Sequence, residues 1–322
     1  MDTLPASPRQ HSCAFAINNK AYLVGGLNGS QHLNDCWEYD PVADNWSQMD
    51  SIPSFGRSSC TCFAINGKGY IGTGATTGNS LTSEWWEFDP IANTWTQKMD
   101  FPAGPRKVAT GFTINGKGYL ISGIDTNLVM HNDVWEYDPV LDNWIAQNNF
   151  PGTPRFNAKG IDIGDIGYLL TGWDSTQQYT NDLWEYDDIL DSWTALDTIP
   201  SFGRKGGSAF TVNGNLFYST GIDHDGNRLQ ETWAYGSTIG IEEENIQNNI
   251  SVYPNPSVGN ITIDFPNDLH SCTIVITNVL GQSFYFQIDP VFPLQLTAIQ
   301  PGIYFVNIQV GNECYFKKYI IH

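Results

Sequence analysis

Trp37-Glu38-Tyr39-Asp40-Pro41 recurs as Trp86-Glu87-Phe88-Asp89-Pro90, Trp135-Glu136-Tyr137-Asp138-Pro139 and Trp184-Glu185-Tyr186-Asp187-Asp188, with a weaker fifth copy at Trp233-Ala234-Tyr235-Gly236. These indoles stand 49 residues apart each time, and Trp46, Trp95, Trp144 and Trp193 keep the same step. A fixed period near ~50 marks a propeller-type array, in which each period is one small unit stacked on its neighbours.

In the third copy, Val108 to Ile114 is an apolar-rich run ending in Asn115-Gly116, a pair suited to a type I′ hairpin turn. Lys117 to Gly123 reads as a second strand and Ile124 to Asn132 as a variable loop. In Asp133 to Tyr137, alternation puts Trp135 and Tyr137 on one face. Asp138-Pro139 breaks that strand, and Asn143 to Ala146 makes a fourth, which completes one four-stranded blade. Burying one Trp removes about 150–250 Å² from water, an upper-bound gain of roughly 4–6 kcal/mol. A lone blade cannot hide such surface, so stacking is compulsory, and nine of the eleven Trp read as core. Two stand off register: Trp85, on the opposite strand face from Trp86, and Trp173, read as a loop residue and a candidate ligand platform.

From about Arg9 to Gly236 the array resembles the Kelch-repeat family. The likeness rests on the glycine closing strand two (Gly26, Gly74, Gly123, Gly172, Gly221), the strand-two aromatic (Tyr22, Tyr70, Tyr119, Tyr168, Phe217) and the Trp pair. It departs in the double glycine, present only as Gly25-Gly26. The implied fold is an all-β Kelch-type propeller over residues 1–236, with five repeats of which the fifth lacks its fourth strand. Met1-Asp2-Thr3-Leu4-Pro5 lines up with Met49-Asp50-Ser51-Ile52-Pro53, the exit from a fourth strand, so the sequence reads as truncated at its front. No signal-peptide pattern is present, which fits the same reading.

Residues 237–249 are polar and acidic and read as a linker. From residue 250 to 322 short alternating strands separated by turns form a small Ig-like β-sandwich. Tyr253-Pro254-Asn255-Pro256, Asn278-Val279-Leu280-Gly281-Gln282, Pro301-Gly302-Ile303-Tyr304 and Lys318-Tyr319-Ile320-Ile321 together resemble the type A C-terminal sorting domain of the type IX secretion system. The resemblance implies engagement of that machinery through residues 250–322 and an extracellular or outer-membrane-surface location.

With 34 acidic against 15 basic side chains the net charge is −19, the wrong sign for nucleic acid or an anionic membrane surface. No run of about 20 apolar residues could span a bilayer. The six cysteines show no zinc spacing; a Cys272–Cys314 disulfide is the pairing considered, against buried free thiols.

Five of the six arginines hold one place in the repeat: Arg9, Arg57, Arg106, Arg155 and Arg204, each where the first strand begins. If that strand is innermost, as in Kelch propellers, the guanidiniums converge on one channel mouth and suit a carboxylate or phosphate ligand. The ligand-binding expectation is therefore these five arginines with Trp173, receiving an acidic glycan or a protein. The alternative is internal pairing with Asp35, Glu84, Asp133, Asp182 and Glu231, which recur two residues before each first Trp. Asp223-His224-Asp225-Gly226-Asn227 has calcium-like oxygen spacing, but lacks the later bidentate Glu of an EF-hand loop, and turn chemistry explains it equally. No metal, cofactor or catalytic residue is assigned. His11, His32, His131 and His224 form no paired ligand motif for galactose-oxidase-like copper. The competing reading is an enzyme of the sialic acid mutarotase or epimerase kind, with residues scattered one per blade.

Overall fold

The computed structural model describes residues 2–236, 251–253, 261–264, 272–278, 282–288, 294–297, 300–310 and 313–321. The 237–249 linker, residues 254–256 and residues 279–281 lie outside this set, as do the Cys272 and Cys314 side chains. The chain divides into two units, Met1–Ser237 and Thr238–His322.

Each repeat folds as an antiparallel sheet whose strands follow one another in space as in sequence. Blade one is Cys13–Ile17, Lys20–Asn28, Gln31–Asp40 and Asn45–Met49. Blade two is Thr61–Ile65, Lys68–Gly72, Trp85–Asp89 and Thr94–Lys98. Blade three is Thr110–Ile114, Lys117–Ile121, Val134–Asp138 and Asn143–Gln147. Blade four is Lys159–Ile163, Ile166–Asp174, Tyr179–Asp187 and Ser192–Ala195. Blade five is described as three strands, Ser208–Val212, Asn215–Ser219 and Thr232–Tyr235. Asn115 and Gly116 take φ of 50° and 74°, the two positive values a type I′ turn requires.

First strands of successive blades lie against each other, which makes them the inner strands. Gly160 N–H donates to Thr110 Oγ1 at 2.6 Å and Thr113 N–H to Asp162 Oδ1 at 3.1 Å. Gly160 sits where a Cβ would lie 2.7 Å from the Gly111 carbonyl oxygen, so this approach admits no side chain.

The blades interlock through a residue that the repeat hides in a polar loop. Ile52, Phe101, Phe150 and Ile199, again 49 apart, leave one blade and wedge into the next. Phe150 stands edge-on to both Trp184 and Trp193 with centroids 5.2 Å away, and Phe101 stands edge-on to Trp135 at 5.8 Å and to Trp144 at 5.2 Å. Hydrogen bonds follow the same seam. Trp144 Nε1 donates to Met99 O at 3.1 Å, and Met99 N–H to Asp142 Oδ1 at 3.0 Å. Trp37, Trp86 and Trp144 are buried, and the other repeat indoles are half-buried. Trp85 is fully buried and faces blade three, against Phe63, Tyr137 and Trp144.

The loop expected to hold Trp173 is instead an extension of strands two and three. In blade four the ladder bulges between Leu170 and Gly172 and then resumes as Gly172↔Thr180 and Trp173↔Tyr179. Trp173 therefore lies on a strand, because the backbone groups on either side of the bulge still find partners across the hairpin. Blade one does the same through Leu27↔His32 and Asn28↔Gln31.

Among its described residues the second unit holds two antiparallel sheets. One joins Ser251–Tyr253, Ile261–Asp264 and Leu294–Leu296; the other orders Ser283–Ile288, Cys272–Asn278, Gly302–Val310 and Glu313–Ile321. Ile263, Ile274, Ile276, Tyr304, Val306 and Ile308 are buried. Gln282 N–H donates to Asn278 Oδ1 at 3.0 Å.

Candidate functional site at the channel mouth

The five arginines occupy equivalent places at one end of the inner strands, and each is tied to the acid two residues before its blade's first Trp. Arg9 meets Asp35 at 2.6 and 2.8 Å, Arg106 meets Asp133 at 2.6 and 2.9 Å, and Arg155 meets Asp182 at 2.7 and 2.9 Å. Arg57 reaches Glu84 at 2.5 Å and Arg204 reaches Glu231 at 2.7 Å. The arginine side chains are 0–4% exposed, so they sit beneath the mouth surface. In four blades the same carboxylate also accepts the Trp Nε1–H, from Trp37, Trp86, Trp135 and Trp184. Burial alone would raise the Asp35 carboxyl, but hydrogen bonds from Arg9 and Trp37 hold it below the usual range. Hydrogen bonds from Ser201 and then Arg204 lower the Glu231 carboxyl to about 2.

The arginines have a second duty at the corner where only blade one carries a double glycine. Gly25, Thr73, Ser122, Thr171 and Thr220 take φ of 56–67°, and the glycine that follows each one is also positive. Ser and Thr therefore stand in a left-handed corner that costs about 1 kcal/mol or more for a side-chain-bearing residue. Arg Nη1 donates to the corner carbonyl in four blades, at 3.1 Å to Gly25, 3.0 Å to Ser122, 3.2 Å to Thr171 and 3.3 Å to Thr220. In blade two the longer Glu84 engages Nη2, and Arg57 Nη1 and Nε are buried without a partner.

What the mouth presents is the residue after each arginine, paired with the residue after each glycine. Arg57–Ser58 pairs with Ala75–Thr76, Arg106–Lys107 with Ile124–Asp125, and Arg155 and Phe156 with Asp174 and Trp173. Single bridges join Gln10 to Leu27 and Lys205 to Ile222. One residue further on, a belt of backbone hydrogen bonds crosses the blades. Ser59 N–H donates to His11 O, Val108 N–H to Ser59 O and Asn157 N–H to Val108 O, at 2.9–3.1 Å. All four belt residues have φ of 51–57°.

Trp173 anchors the one aromatic and cationic cluster on this rim among the described residues. Its ring lies 5.1 Å from Phe156 and 5.6 Å from Tyr179, and Tyr179 lies 5.4 Å from His224. The Lys205 ammonium is held 3.9 Å from the Trp173 centroid and 4.8 Å from that of Tyr179. Among the described residues no carboxylate pairs with Lys205, in a chain of net charge −19. Neither Lys205 nor Phe156 stood out in the sequence, although both directly follow a repeat arginine.

The Asp223 carboxylate closes its own loop, accepting Asn227 N–H at 2.8 Å and Asn227 Nδ2–H at 3.0 Å. Asp125 and Asp174, at the same 49-residue step, do likewise for their hairpins. Among the described residues no group of three His, Cys, Asp or Glu is placed to hold a metal.

Residues 1–100 match the KLHDC2/KLHL20/DRC7 Kelch-repeats domain and residues 251–322 the secretion system C-terminal sorting domain. The N-acetylneuraminate epimerase of Shigella sonnei is 29% identical over 80 residues, 23% of this chain and 22% of that protein. Kelch-like protein 22 of Rattus norvegicus and of Mus musculus is 34% identical over 64 residues, 19% of this chain and 10% of theirs. The chain thus spans about a fifth or less of the length of these relatives. The solved structure of YjhT matches with a TM-score of 0.63 and 16% identity over 98% of this chain and 99% of that one, a likeness of fold alone. Fold and matches define a Kelch-type β-propeller followed by a type IX C-terminal sorting domain. That sorting domain implies export, to the cell surface or beyond it, and among the described residues no helix is long and apolar enough to cross a membrane.

Proposed function

We propose that the propeller is a binding module displayed outside the cell, taking an acidic glycan at the rim formed by Trp173, Phe156, Tyr179 and Lys205. The observation that carries this reading is the Lys205 ammonium, held over two aromatic rings without an acidic partner among the described residues. A sugar ring stacks on an indole or phenol face through its apolar C–H surface, and a carboxylate on that sugar pairs with the ammonium. In this reading the five arginines act from beneath, holding the strand starts that carry the rim, and four of them also fix the corners.

A second reading shares the ligand and adds turnover. The epimerase similarity, over 80 residues, favours an activity on N-acetylneuraminate, itself a carboxylated sugar. Titration of the full chain with N-acetylneuraminate, followed by calorimetry and by NMR of the sugar's anomers, separates the two. The binding module gives saturable heat that Trp173→Ala and Lys205→Gln each weaken by about tenfold or more, a loss of roughly 1.4 kcal/mol. Accelerated anomer exchange supports the enzyme. Binding that survives both substitutions removes the rim from the account.

A further inference from the structure

The seam between the inner strands of blades one and two holds three of the four free thiols among the described residues. Cys13, on the buried face of Cys13–Ile17, donates to the Cys60 carbonyl at 3.3 Å, and Cys62 donates back to the Ala14 carbonyl at 3.5 Å. Cys13 packs in the core between these blades, with Cys60 and Cys62 half-buried against it. In the later blades Thr110 stands at the place of Cys13, and its hydroxyl meets Gly160, at the place of Cys62. The same two positions therefore meet across the seam of blades three and four.

We infer that Cys13 and Cys62 are a cross-blade disulfide site that closes once the protein is outside the cell. Export carries the chain from a reducing cytoplasm to an oxidising exterior, where such bonds persist. Hydrogen bonding with Cys60 and Cys62, and then burial, make Cys13 the poorer nucleophile, so the half-buried Cys62 attacks first. The oxidant is a small-molecule disulfide. The Cys62 thiolate attacks one of its sulfurs, forms a mixed disulfide and releases one small thiolate. Cys13 then attacks the Cys62 sulfur, loses its proton and releases the second small thiol. Two protein thiols become one disulfide, and one small disulfide becomes two thiols.

The test exposes the full chain to glutathione disulfide, blocks free thiols in denaturant, and maps crosslinked peptides by mass spectrometry. The expected product joins Cys13 to Cys62, persists in Cys60→Ser and disappears in Cys62→Ser. Fragmentation of the wild-type crosslinked peptide reads the same assignment without any substitution. Because the bond closes a loop of about 50 residues, reduction of the oxidised protein lowers Tm by about 5–10 °C. A Cys13 that stays alkylatable after oxidation overturns the inference, as does a crosslink that needs Cys60 and survives loss of Cys62.

Discussion

Arg155 and Asp182 face each other through two parallel hydrogen bonds of 2.7 and 2.9 Å, and the second oxygen of that carboxylate also receives Trp184 Nε1–H at 2.8 Å. A single ion pair thus joins the start of the inner strand, the corner at Thr171 and the indole of strand three. Arg155→Met leaves the carboxylate facing an apolar site and frees the corner carbonyl. Removing one partner of a buried pair costs about 3–5 kcal/mol, and the 25% exposure of Asp182 reduces the expectation to about 2–4 kcal/mol. Urea denaturation reads this as a lowered midpoint at unchanged slope. Arg155→Lys should recover little, since an ammonium cannot make the forked contact.

Gly72 and Trp85 are a matched pair in blade two. They are cross-strand partners, and a Cβ on Gly72 would lie 1.8 Å from Trp85 Cε3. Blade three fills the same pair of positions with Ile121 and Val134, so the volume is divided differently between the two strands. Trp85→Val alone should cost about 3–5 kcal/mol, because its void is lined by Phe63, Tyr137 and Trp144. Gly72→Ile alone should prevent folding or displace the indole. The double substitution should be less damaging than Trp85→Val alone, a non-additivity that thermal unfolding of the four-member cycle measures.

The repeat was legible because its tryptophans, Asn-Gly turns and arginines recur at a step of 49 residues, 48 between Arg9 and Arg57, in residue types that are rare or conformationally specific. The arginine–carboxylate pairing was legible as an alternative for the same reason. Phe101 and Phe150 keep the step too, but single apolar residues inside polar segments give no periodic signal within any one strand. The rim cluster was hidden more deeply. Phe156 and Trp173 belong to blade four and Lys205 and His224 to blade five, so their meeting depends on how the blades stack. The left-handed Ser and Thr corners defeated sequence preference, which assigns such corners to glycine. At Ser122, Thr171 and Thr220 an arginine hydrogen bond to the corner carbonyl holds the strained backbone, while Thr73 keeps the same conformation without one.

Acid should loosen blade five first. The Glu231 carboxyl lies at about 2 in the folded chain against an ordinary 4.5, so the unfolded chain binds its proton first. Its contribution is complete above about pH 4.5 and is lost as the pH falls from there toward 2. Asp35 and Glu84 are lowered as well and act in the same direction. Acidification also relieves the repulsion of a net charge of −19, which opposes this loss. Glu231→Gln separates the two effects. Its Tm should sit below wild type at neutral pH, with the gap closing by pH 2. A gap that stays constant with pH would assign the difference to packing.

Val108 stands in the belt at the channel mouth with φ of 51°, a left-handed conformation that a β-branched side chain tolerates poorly. The chain itself places Asn157 at the equivalent point of the next blade, with φ of 56°. The belt is made by backbone groups, Val108 N–H to Ser59 O and Asn157 N–H to Val108 O, so a change of side chain leaves both bonds in place. Relief of the left-handed strain contributes about 1–2 kcal/mol, while a half-buried valine loses less than the full value of its apolar burial on becoming Asn. Val108→Asn should therefore raise stability by about 0.5–1 kcal/mol in urea denaturation and leave ligand affinity at the Trp173 rim unchanged. A fall of 1 kcal/mol or more would mean that contacts of the valine side chain, and not the hydrogen-bonded belt alone, hold the corner in place.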